Sequence, residues 1–353
     1  MEAAGVSAAP RGLRSQVAPA AKSALLHLGA YAALRTLLPS RRVAILRYHA
    51  VCGEEGAAYA EPGICVSPAA FEQHVKYLAE NYSVLPLPEI VKRLREHRAL
   101  PRNTAAITFD DGYADNLEAA RTLQRYGLSA TFYITAGCLD GEQPFWPAEI
   151  RPLIAAVREP VLRLVAAGTA TEIPLSTAAE RRAAIRTVSR LLKAHPIPVR
   201  EALREQLREA AGHVTLPRCM LRWDELAEMH QLGMTIGSHT LTHPNLPNAG
   251  ADGAEREVRG AKARLERELG VRVTMFSYPN GGAERYMTPE IARIVRETGY
   301  EAATTSRNAF AGRHSDLFAL ERIQVRERLE ELVFALEVER FALKPVPRRG
   351  EVA

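Results

Sequence analysis

The distribution of hydrophobic positions predicts short buried strands that alternate with amphipathic helices. From Val43 onward, apolar runs are separated by helical patterns, which is typical of a mostly parallel sheet. The strand candidates are RVAILRYHAV, AAITF, SATFYIT, MTIGS, RVTMFSY, YEAATTS and LERIQV. A helix is predicted at about Pro68 to Tyr82, and Thr288 and Pro289 suit a helix N-cap and first helical position. This rhythm predicts an α/β fold, a barrel of the (β/α) kind.

Two segments flank this repeat and one interrupts it. Residues 1–42 include AAKSALLHLGAYAALRTLL, for which we expect an amphipathic helix that packs against the domain or, alternatively, lies on a membrane surface. Residues 43–327 form the expected barrel domain. Within it, residues 145–218 are rich in Ala, Arg, Leu and Glu without a clear strand, so we expect a helical insertion over one end or flank of the barrel. Residues 328–353 predict one more helix and a Pro/Arg tail.

Composition and charge place the chain among globular proteins. The 353 residues are 47% hydrophobic and 25% charged, which disfavours disorder and multi-span membrane proteins. The net charge of +5 comes from arginines scattered through helical segments, a distribution typical of solvated helix faces. Proximity to anionic lipid or an acidic polymer is the weaker alternative. No dense basic block interleaved with aromatics argues for nucleic acid.

The cysteine spacing and the N-terminal segment bear on the cellular compartment in which the protein is expected. The cysteines are Cys52, Cys65, Cys138 and Cys219. Their spacing matches neither a zinc site nor a redox motif, so we expect free thiols and leave a Cys52–Cys65 bridge open. The N-terminal apolar segment is broken by His27 and Arg35 and falls short of the ~20 residues that a membrane span needs. We therefore expect a cytoplasmic protein or one peripheral to the cell envelope.

Polar side chains follow three of the strand candidates. Asp110 and Asp111 come directly after AAITF, His239 and His243 follow MTIGS, and the string SYPNGG follows RVTMF. Barrels of this type present the carboxyl ends of their strands on one shared face. The HxxxH spacing would set two imidazoles one helical turn apart, and one added carboxylate completes a metal site suited to activating water. HxxxH alone more often marks surface histidines, but the neighbouring Asp pair favours a site.

The adjacency of the two carboxylates indicates a division of roles. Neighbouring carboxylates repel, and one would suffice to cap the next helix, so each is expected to have its own partner. One can bind metal while the other handles protons. Gly112, directly behind them, would let the backbone turn tightly.

These motifs resemble those of a known family. TFDDG followed by HTLTH is similar to the NodB-homology polysaccharide deacetylases, carbohydrate esterase family four, whose fold is a distorted (β/α) barrel. The strings LRYHAV, MLRWDEL, IGSHTLTHPNL and FSYPNGG resemble a branch associated with surface polysaccharides, and the resemblance covers about residues 43–325. It implies that Asp111, His239 and His243 bind a divalent metal, with zinc as first choice. It also implies that Asp110 is the general base and that the N–H of Asn280 stabilises the oxyanion.

The chain departs from the family pattern in three places. Ser277 matches the arginine that usually supports the base, and Asn280 matches the usual aromatic residue. No Asp/Trp motif occurs in YEAATTSRN, and Arg322 replaces the histidine that serves as general acid. Because arginine is a poor proton donor, Arg322 is expected to orient Asp110 or to bind a substrate anion. His49 is a candidate acid, with a structural role equally open.

The expected function is that of a metal-dependent hydrolase. It would remove N-acetyl groups from an amino-sugar polysaccharide or its lipid-linked precursor, so the expected partner is an N-acetylated glycan. Two alternatives remain open: a catalytically weak relative that binds glycan or assists export, and an O-acetyl esterase on the same scaffold.

Overall fold

The computed structural model describes residues 17–141, 143–281 and 286–342. The helices are α1 Pro19–His27, α2 Ala30–Leu37, α3 Pro68–Asn81, α4 Leu87–Arg95, α5 Asn116–Arg125, α6 Trp146–Ala156, α7 Ala178–Ala194, α8 Ile197–Ala211, α9 Trp223–Gln231, α10 Ala251–Leu269, α11 Pro289–Glu297, α12 Leu329–Phe334 and α13 Arg340–Ala342. The strands are β1 Ala44–Tyr48, β2 Ala50–Val51, β3 Cys65–Val66, β4 Ser83–Val84, β5 Thr104–Phe109, β6 Thr131–Ile134, β7 Val161–Ala166, β8 Thr169–Pro174, β9 Thr235–Ser238, β10 Met275–Ser277, β11 Ala302–Asn308 and β12 Leu320–Gln324.

Seven parallel strands close into a barrel. Their order is β1-β12-β11-β10-β9-β6-β5, and β5 pairs back onto β1 along its length. The short strand β4 adds to β5 outside this ring. The seven strands are those predicted from the apolar runs, and the expected α/β barrel is confirmed. Strand β5 is buried at every position, because one face meets the barrel interior and the other meets helices.

Apolar side chains fill one end of the barrel and leave the other end to polar groups. Ile45, Met275 and Leu320 point inward near the amino ends of their strands and cluster with Ile90 and Val91 of α4. Helix α4 therefore closes the amino end of the barrel. The carboxyl ends remain available for the polar residues that follow the strands.

The insertion contains a hairpin that the sequence did not predict. Helices α6, α7 and α8 occur as expected, but β7 and β8 pair antiparallel between α6 and α7, so the expectation of a segment without strands is wrong. Leu162 and Leu164 face a hydrophobic core formed within the insertion itself. The strands are joined through Ala167 (φ 48°) and Gly168 (φ 81°), both left-handed as a two-residue hairpin turn requires.

The two ends of the described chain pack together. The N-terminal segment forms two helices, α1 and α2, where one was expected. The Lys22 ammonium of α1 lies 2.7 Å from Glu331 of α12, and Arg35 of α2 lies 3.1 Å from Glu337, which follows α12. Residues 1–16 of the N-terminal segment and the Pro/Arg tail from residue 343 lie outside the described residues.

Two smaller expectations concern the cysteines and the membrane. All four cysteines are free thiols. Cys52 and Cys65 lie side by side, and the hydrogen bond between them raises the pKa of Cys52 and lowers that of Cys65. Within the described part of the chain, no helix has both the length and the apolar character needed to cross a bilayer.

Candidate active site

The Asp pair sits on a tightly turned strand end. The N–H of Asp110 donates to the carbonyl of Tyr48 at 3.1 Å, which continues the pairing of β5 with β1. Asp111 and Gly112 both have left-handed backbones, with φ of 79° and 89°. A Cβ at Gly112 would lie 3.2 Å from Ile134 Cδ1, so glycine suits this turn in both conformation and space. The turn directs the two carboxylates to separate partners.

Asp111, His239 and His243 converge as a candidate metal centre. The Oδ1 atom of Asp111 lies 3.5 Å from His239 Nε2 and 3.4 Å from His243 Nε2, and the three ligand atoms lie within 4.8 Å of one another. The Nδ1 of His239 is 2.7 Å from the carbonyl of Ser277, a contact that needs the proton on Nδ1 and leaves Nε2 as a free donor to metal. Burial lowers the pKa of His243 to about 3, so its imidazole is neutral.

The two histidines meet through a loop, and the helical turn expected from HxxxH is wrong. After β9 the chain turns through Thr240 (φ 71°) and His243 (φ 54°), both left-handed, and Pro244 follows. Proline disfavours helical geometry in the residue before it. The two imidazole rings nevertheless pack edge to face with centroids 5.0 Å apart.

Side chains from three helices, two of them in the insertion, hold this loop. The carboxylate of Glu257, on α10, accepts hydrogen bonds from the N–H groups of Leu241 and Thr242 at 2.9 and 2.8 Å. Arg200, on α8, donates to the carbonyl and hydroxyl of Thr242 at 3.0 and 2.8 Å. The Trp146 indole N–H, at the start of α6, donates to the carbonyl of His243 at 3.1 Å. The insertion therefore helps to fix a candidate metal ligand.

Arg322 forms a buried bidentate ion pair with Asp110. Two guanidinium nitrogens lie 2.7 Å from the two carboxylate oxygens, and the remaining donors reach Thr305 O, Thr108 Oγ1 and Ser277 Oγ at 2.9 to 3.2 Å. Burial alone would raise the pKa of Asp110, but Arg322 holds it well below the ordinary value. All five guanidinium N–H groups are used, so a substrate anion could bind Arg322 only by displacing one of these contacts. Its expected contact with Asp110 is confirmed.

His49 lies beside the same carboxylate. Its Nε2 is 3.8 Å from Asp110 Oδ2, and burial lowers its pKa to about 4. The segment that follows β1 is held by the DDGYADN string: Asn116 donates to the His49 carbonyl at 2.8 Å, and Asp115 accepts from the Val51 N–H at 2.9 Å. His49 is therefore placed at the site in its neutral form.

Asn280 borders the candidate metal centre from the loop after β10. Its side-chain amide donates to the carbonyl of Pro244 at 3.0 Å, and its backbone is left-handed with φ of 71°. Within the described residues, no acceptor is paired with its backbone N–H. The adjoining residues 282–285 lie outside the description.

The site opens into a cleft of about 470 Å³ between the barrel rim and the insertion. Besides the residues above, the cleft contains Arg47 of β1, Arg151 of α6 and Lys193 of α7. Sequence analysis missed these cations and the loop contacts of Trp146 and Arg200. Of these residues, only Arg47 could have been recognised from the sequence, because it is a charged residue inside an otherwise apolar strand.

Comparison with known proteins identifies the family. The profile described as Polysaccharide deacetylase matches residues 97–172 and 180–303, more than half of the chain, and spans both the Asp pair and the His pair. The chain therefore belongs to the polysaccharide deacetylase family, hydrolases that act on amide bonds. Arg322 and His49 lie outside the matched segments.

Individual relatives agree with this assignment. YxkH of Bacillus subtilis (strain 168), named as a candidate polysaccharide deacetylase, is 22% identical over 308 residues, which cover 87% of this chain and 79% of YxkH. The Streptococcus pyogenes deacetylase PplD in complex with acetate has a TM-score of 0.56 at 20% identity, covering 84% of this chain and 99% of that chain. IcaB from Ammonifex degensii has a TM-score of 0.54 at 17% identity, covering 85% and 98%. At these identities the two structures establish the shared fold.

Proposed function

We propose that this protein removes N-acetyl groups from an amino-sugar polysaccharide of the cell envelope, or from its precursor, with a divalent metal held by Asp111, His239 and His243. The observation that carries the proposal is the convergence of these three ligand atoms beside a second, ionised carboxylate, Asp110. Membership of the polysaccharide deacetylase family supports the same reading.

The donor set fits a divalent metal. One carboxylate oxygen and two imidazole nitrogens are ligands that zinc accepts, and such a site keeps a position open for water or substrate. His243 is neutral and His239 has its Nδ1 proton directed to a carbonyl, so both imidazoles are in the form that binds metal. When bound, the ion would supply Lewis-acid chemistry and lower the pKa of water.

Asp110 would accept the proton of the attacking water, and Arg322 would keep the Asp110 carboxylate ionised until then. Asp110 is ionised and accepts this proton as the oxygen adds to the acetyl carbon. Arg322 holds the carboxylate by both oxygens and stabilises its charged form. The N–H of Asn280 would donate to the oxygen on which negative charge develops.

His49 would pass the proton to the leaving group. Its Nε2 lies 3.8 Å from Asp110, close enough for a relay after a small movement. The proton taken by Asp110 then reaches the amine nitrogen through His49 as the carbon–nitrogen bond breaks. Acetate and a free amine leave, and Asp110 returns to its ionised state.

The neutral state of His49 supports O-acetyl esterase activity as a second candidate. A histidine with its pKa lowered to about 4 carries no extra proton at neutral pH, and Arg322 is a poor proton donor. An alkoxide leaving group needs less protonation than an amine, so ester cleavage would tolerate this arrangement better.

Metal analysis joined to an acetate-release assay tests both candidates. We expect about one divalent ion per chain after reconstitution, and acetate release from N-acetylated amino-sugar oligosaccharides. Release from O-acetylated oligosaccharides alone would favour the esterase. Bound metal without release from either class would favour a glycan-binding relative, and absence of metal after reconstitution would refute the metal-dependent mechanism.

A further inference from the structure

Three cationic side chains in the cleft have no acidic partner among the residues that the structure describes. Arg47 lies at the barrel rim, and Arg151 and Lys193 lie on the insertion. Among the described residues, no carboxylate forms an ion pair with any of them. Apart from the Asp pair, Glu61 is the only acidic residue among those described around the cleft. Because Arg322 is paired with Asp110, the three cations of the cleft face only Asp111 and Glu61, an excess of one positive charge.

Arg47 is the most informative of the three. It shares the inward face of β1 with Ile45, and its Nη2 donates to Gln324 Oε1 at 3.2 Å. Its Nε is buried and has no hydrogen-bond partner in the part of the chain that the structure describes. Burial and the neighbouring Arg322 lower the pKa of Arg47 to about 10, so it remains cationic at neutral pH.

Neither Asp110 nor Asp111 forms an ion pair with Arg47, although both raise its pKa through space. Arg322 already neutralises Asp110 through two hydrogen bonds, and Asp111 faces the two histidines. A buried guanidinium beside another arginine is costly, and a buried donor is normally satisfied. An anion that binds the part of Arg47 that lines the cleft would offset the repulsion between the two arginines and stabilise this incompletely paired guanidinium.

We propose that the cleft binds an anionic group of the substrate, a carboxylate or a phosphate, through Arg47, with Arg151 and Lys193 adding attraction from the insertion. This inference rests on the proposed function for the nature of the substrate as an N-acetylated glycan. The substrate is then an acidic glycan or a phosphorylated precursor, in which the anion lies within one or two sugars of the acetamide. A neutral amino-sugar homopolymer would leave the three cations unmatched.

Three probes separate the sources of the anion. They are the N-acetylglucosamine tetramer, which is neutral, a hyaluronan tetrasaccharide, which carries carboxylates, and diacetylchitobiose 1-phosphate, which carries a phosphate. Dissociation constants are measured calorimetrically on the full chain with chelator present, so that binding is read without turnover. Acetate release from the same probes is measured in parallel on the metal-loaded protein. Loss of all acetate release would count against the proposed function, whereas the binding series tests the anion site by itself.

The variants are matched by charge and position. Arg47→Gln should weaken binding of an anionic probe by about tenfold or more, the size typical of a hydrogen bond to a charged group, and leave the neutral probe nearly unchanged. Arg47→Lys should recover part of the loss. Lys193→Gln should act in the same direction but less, while Arg190→Gln, an exposed residue on the same helix α7 outside the cleft, should have no effect.

Each outcome decides the proposal. Preference for the hyaluronan probe assigns a carboxylate, and preference for the phosphorylated probe assigns a phosphate; both support the anion site. If neither anionic probe binds more tightly than the neutral one, the proposal is overturned. Equal losses in Lys193→Gln and Arg190→Gln would also overturn it, because the effect would then be general charge. If Arg47→Gln does not fold, Lys193→Gln and Arg151→Gln on the insertion provide the same test.

Discussion

At the scale of single residues, Arg322 forms the ion pair with Asp110 that the serine at position 277 cannot form. A supporting arginine was missing from β10, and Arg322 reaches Asp110 from β12 instead, with the Ser277 hydroxyl 3.1 Å from its guanidinium. The side chains at positions 277 and 322 therefore meet at the same place inside the barrel, beside Asp110. Strand alternation predicted that Arg322 would face Asp110, and the ion pair confirms it.

Weakening the Arg322–Asp110 pair should change the pH dependence of catalysis. Without the guanidinium, burial raises the pKa of Asp110, so more of the base is protonated at a given pH. We expect Arg322→Ala to move the acidic limb of the pH–rate profile to higher pH, and Arg322→Lys to move it less. Arg322→His should not simply raise activity, because the support is lost. An unchanged acidic limb in Arg322→Ala would contradict the proposed role.

The same pair should stabilise the fold in a pH-dependent manner. Because the pKa of Asp110 is depressed in the folded state, its contribution is complete above the ordinary carboxyl pKa of ~3.9 and is lost as the pH falls through the folded value. Arg322→Ala should cost about 3–5 kcal/mol of unfolding free energy at pH 7, since it leaves a buried charge unpaired. Denaturant titrations measure this, and Arg322→Ala combined with Asp110→Asn should recover part of the loss.

Substitutions of the two neighbouring aspartates should affect the metal content of the protein differently. Asp110→Asn keeps all three candidate ligands, so we expect nearly normal metal content and turnover lowered by ~100-fold or more. Asp111→Asn removes a ligand and should lose metal first. Elemental analysis beside acetate release makes the comparison, and equal metal loss in both variants would show that the two roles are shared or reversed.

At the scale of elements, the insertion contributes to the candidate metal centre and to the cleft wall. Trp146 and Arg200 hold the loop that carries His243, and α6 and α7 line the cleft. The indole hydrogen bond joins the first residue of the insertion's first helix directly to a candidate metal ligand. An insertion joined in this way can set both ligand geometry and substrate fit.

Removing the Trp146 indole N–H should weaken metal binding. Trp146→Phe keeps an aromatic ring beside His243 but loses the hydrogen bond to its carbonyl, and losing such an outer contact typically costs ~10- to 100-fold in metal affinity. The chain's other tryptophan, Trp223 on α9, provides the matched control, since no hydrogen bond or ring contact joins it to this loop in the described part of the chain. Competition with a chromogenic chelator reports the affinity. Equal affinities in Trp146→Phe and Trp223→Phe would refute the idea.

The elements missed from the sequence have identifiable causes. The hairpin of the insertion turns at Ala167 and Gly168, and alanine at the first left-handed position lacks the Asn or Asp that usually marks such a turn. The HxxxH spacing predicts a helical turn, but Pro244 directly after His243 favours a loop instead. The barrel strands were predictable because their apolar runs are buried on both faces. Trp146 and Arg200 could not be predicted, since their contacts depend on how the insertion folds back.

At the scale of the whole molecule, the N-terminal helices are fastened to the C-terminal part of the chain. Glu337 is fully buried and accepts hydrogen bonds from Arg35 at 3.1 Å and from the Tyr82 hydroxyl at 2.5 Å. The carboxylate thereby joins α2, the segment before β4 and the turn after α12. This face lies at a distance from the cleft, because none of these residues lines it.

Neutralising Glu337 should lower stability without changing catalysis by the folded protein. Glu337→Gln leaves the Arg35 guanidinium without its carboxylate, and breaking a buried pair costs about 3–5 kcal/mol. Denaturant titrations and acetate release per folded molecule make the comparison, with the exposed Glu290→Gln on α11 as control. A loss of activity equal to the loss of folded protein is expected. A lower turnover per folded molecule would show that this face is coupled to the site.

The span of 212 residues between Asp110 and Arg322 has a consequence for synthesis of the protein. The aspartate leaves the ribosome long before β12 exists, and β12 is the strand that closes the barrel between β1 and β11. Until then Asp110 lacks its counter-charge, and desolvating it would be unfavourable. A nascent or truncated chain that ends before residue 320 therefore lacks the cation that keeps the base ionised. On this basis, hydrolytic competence is expected only after β12 has been made and the ring has closed.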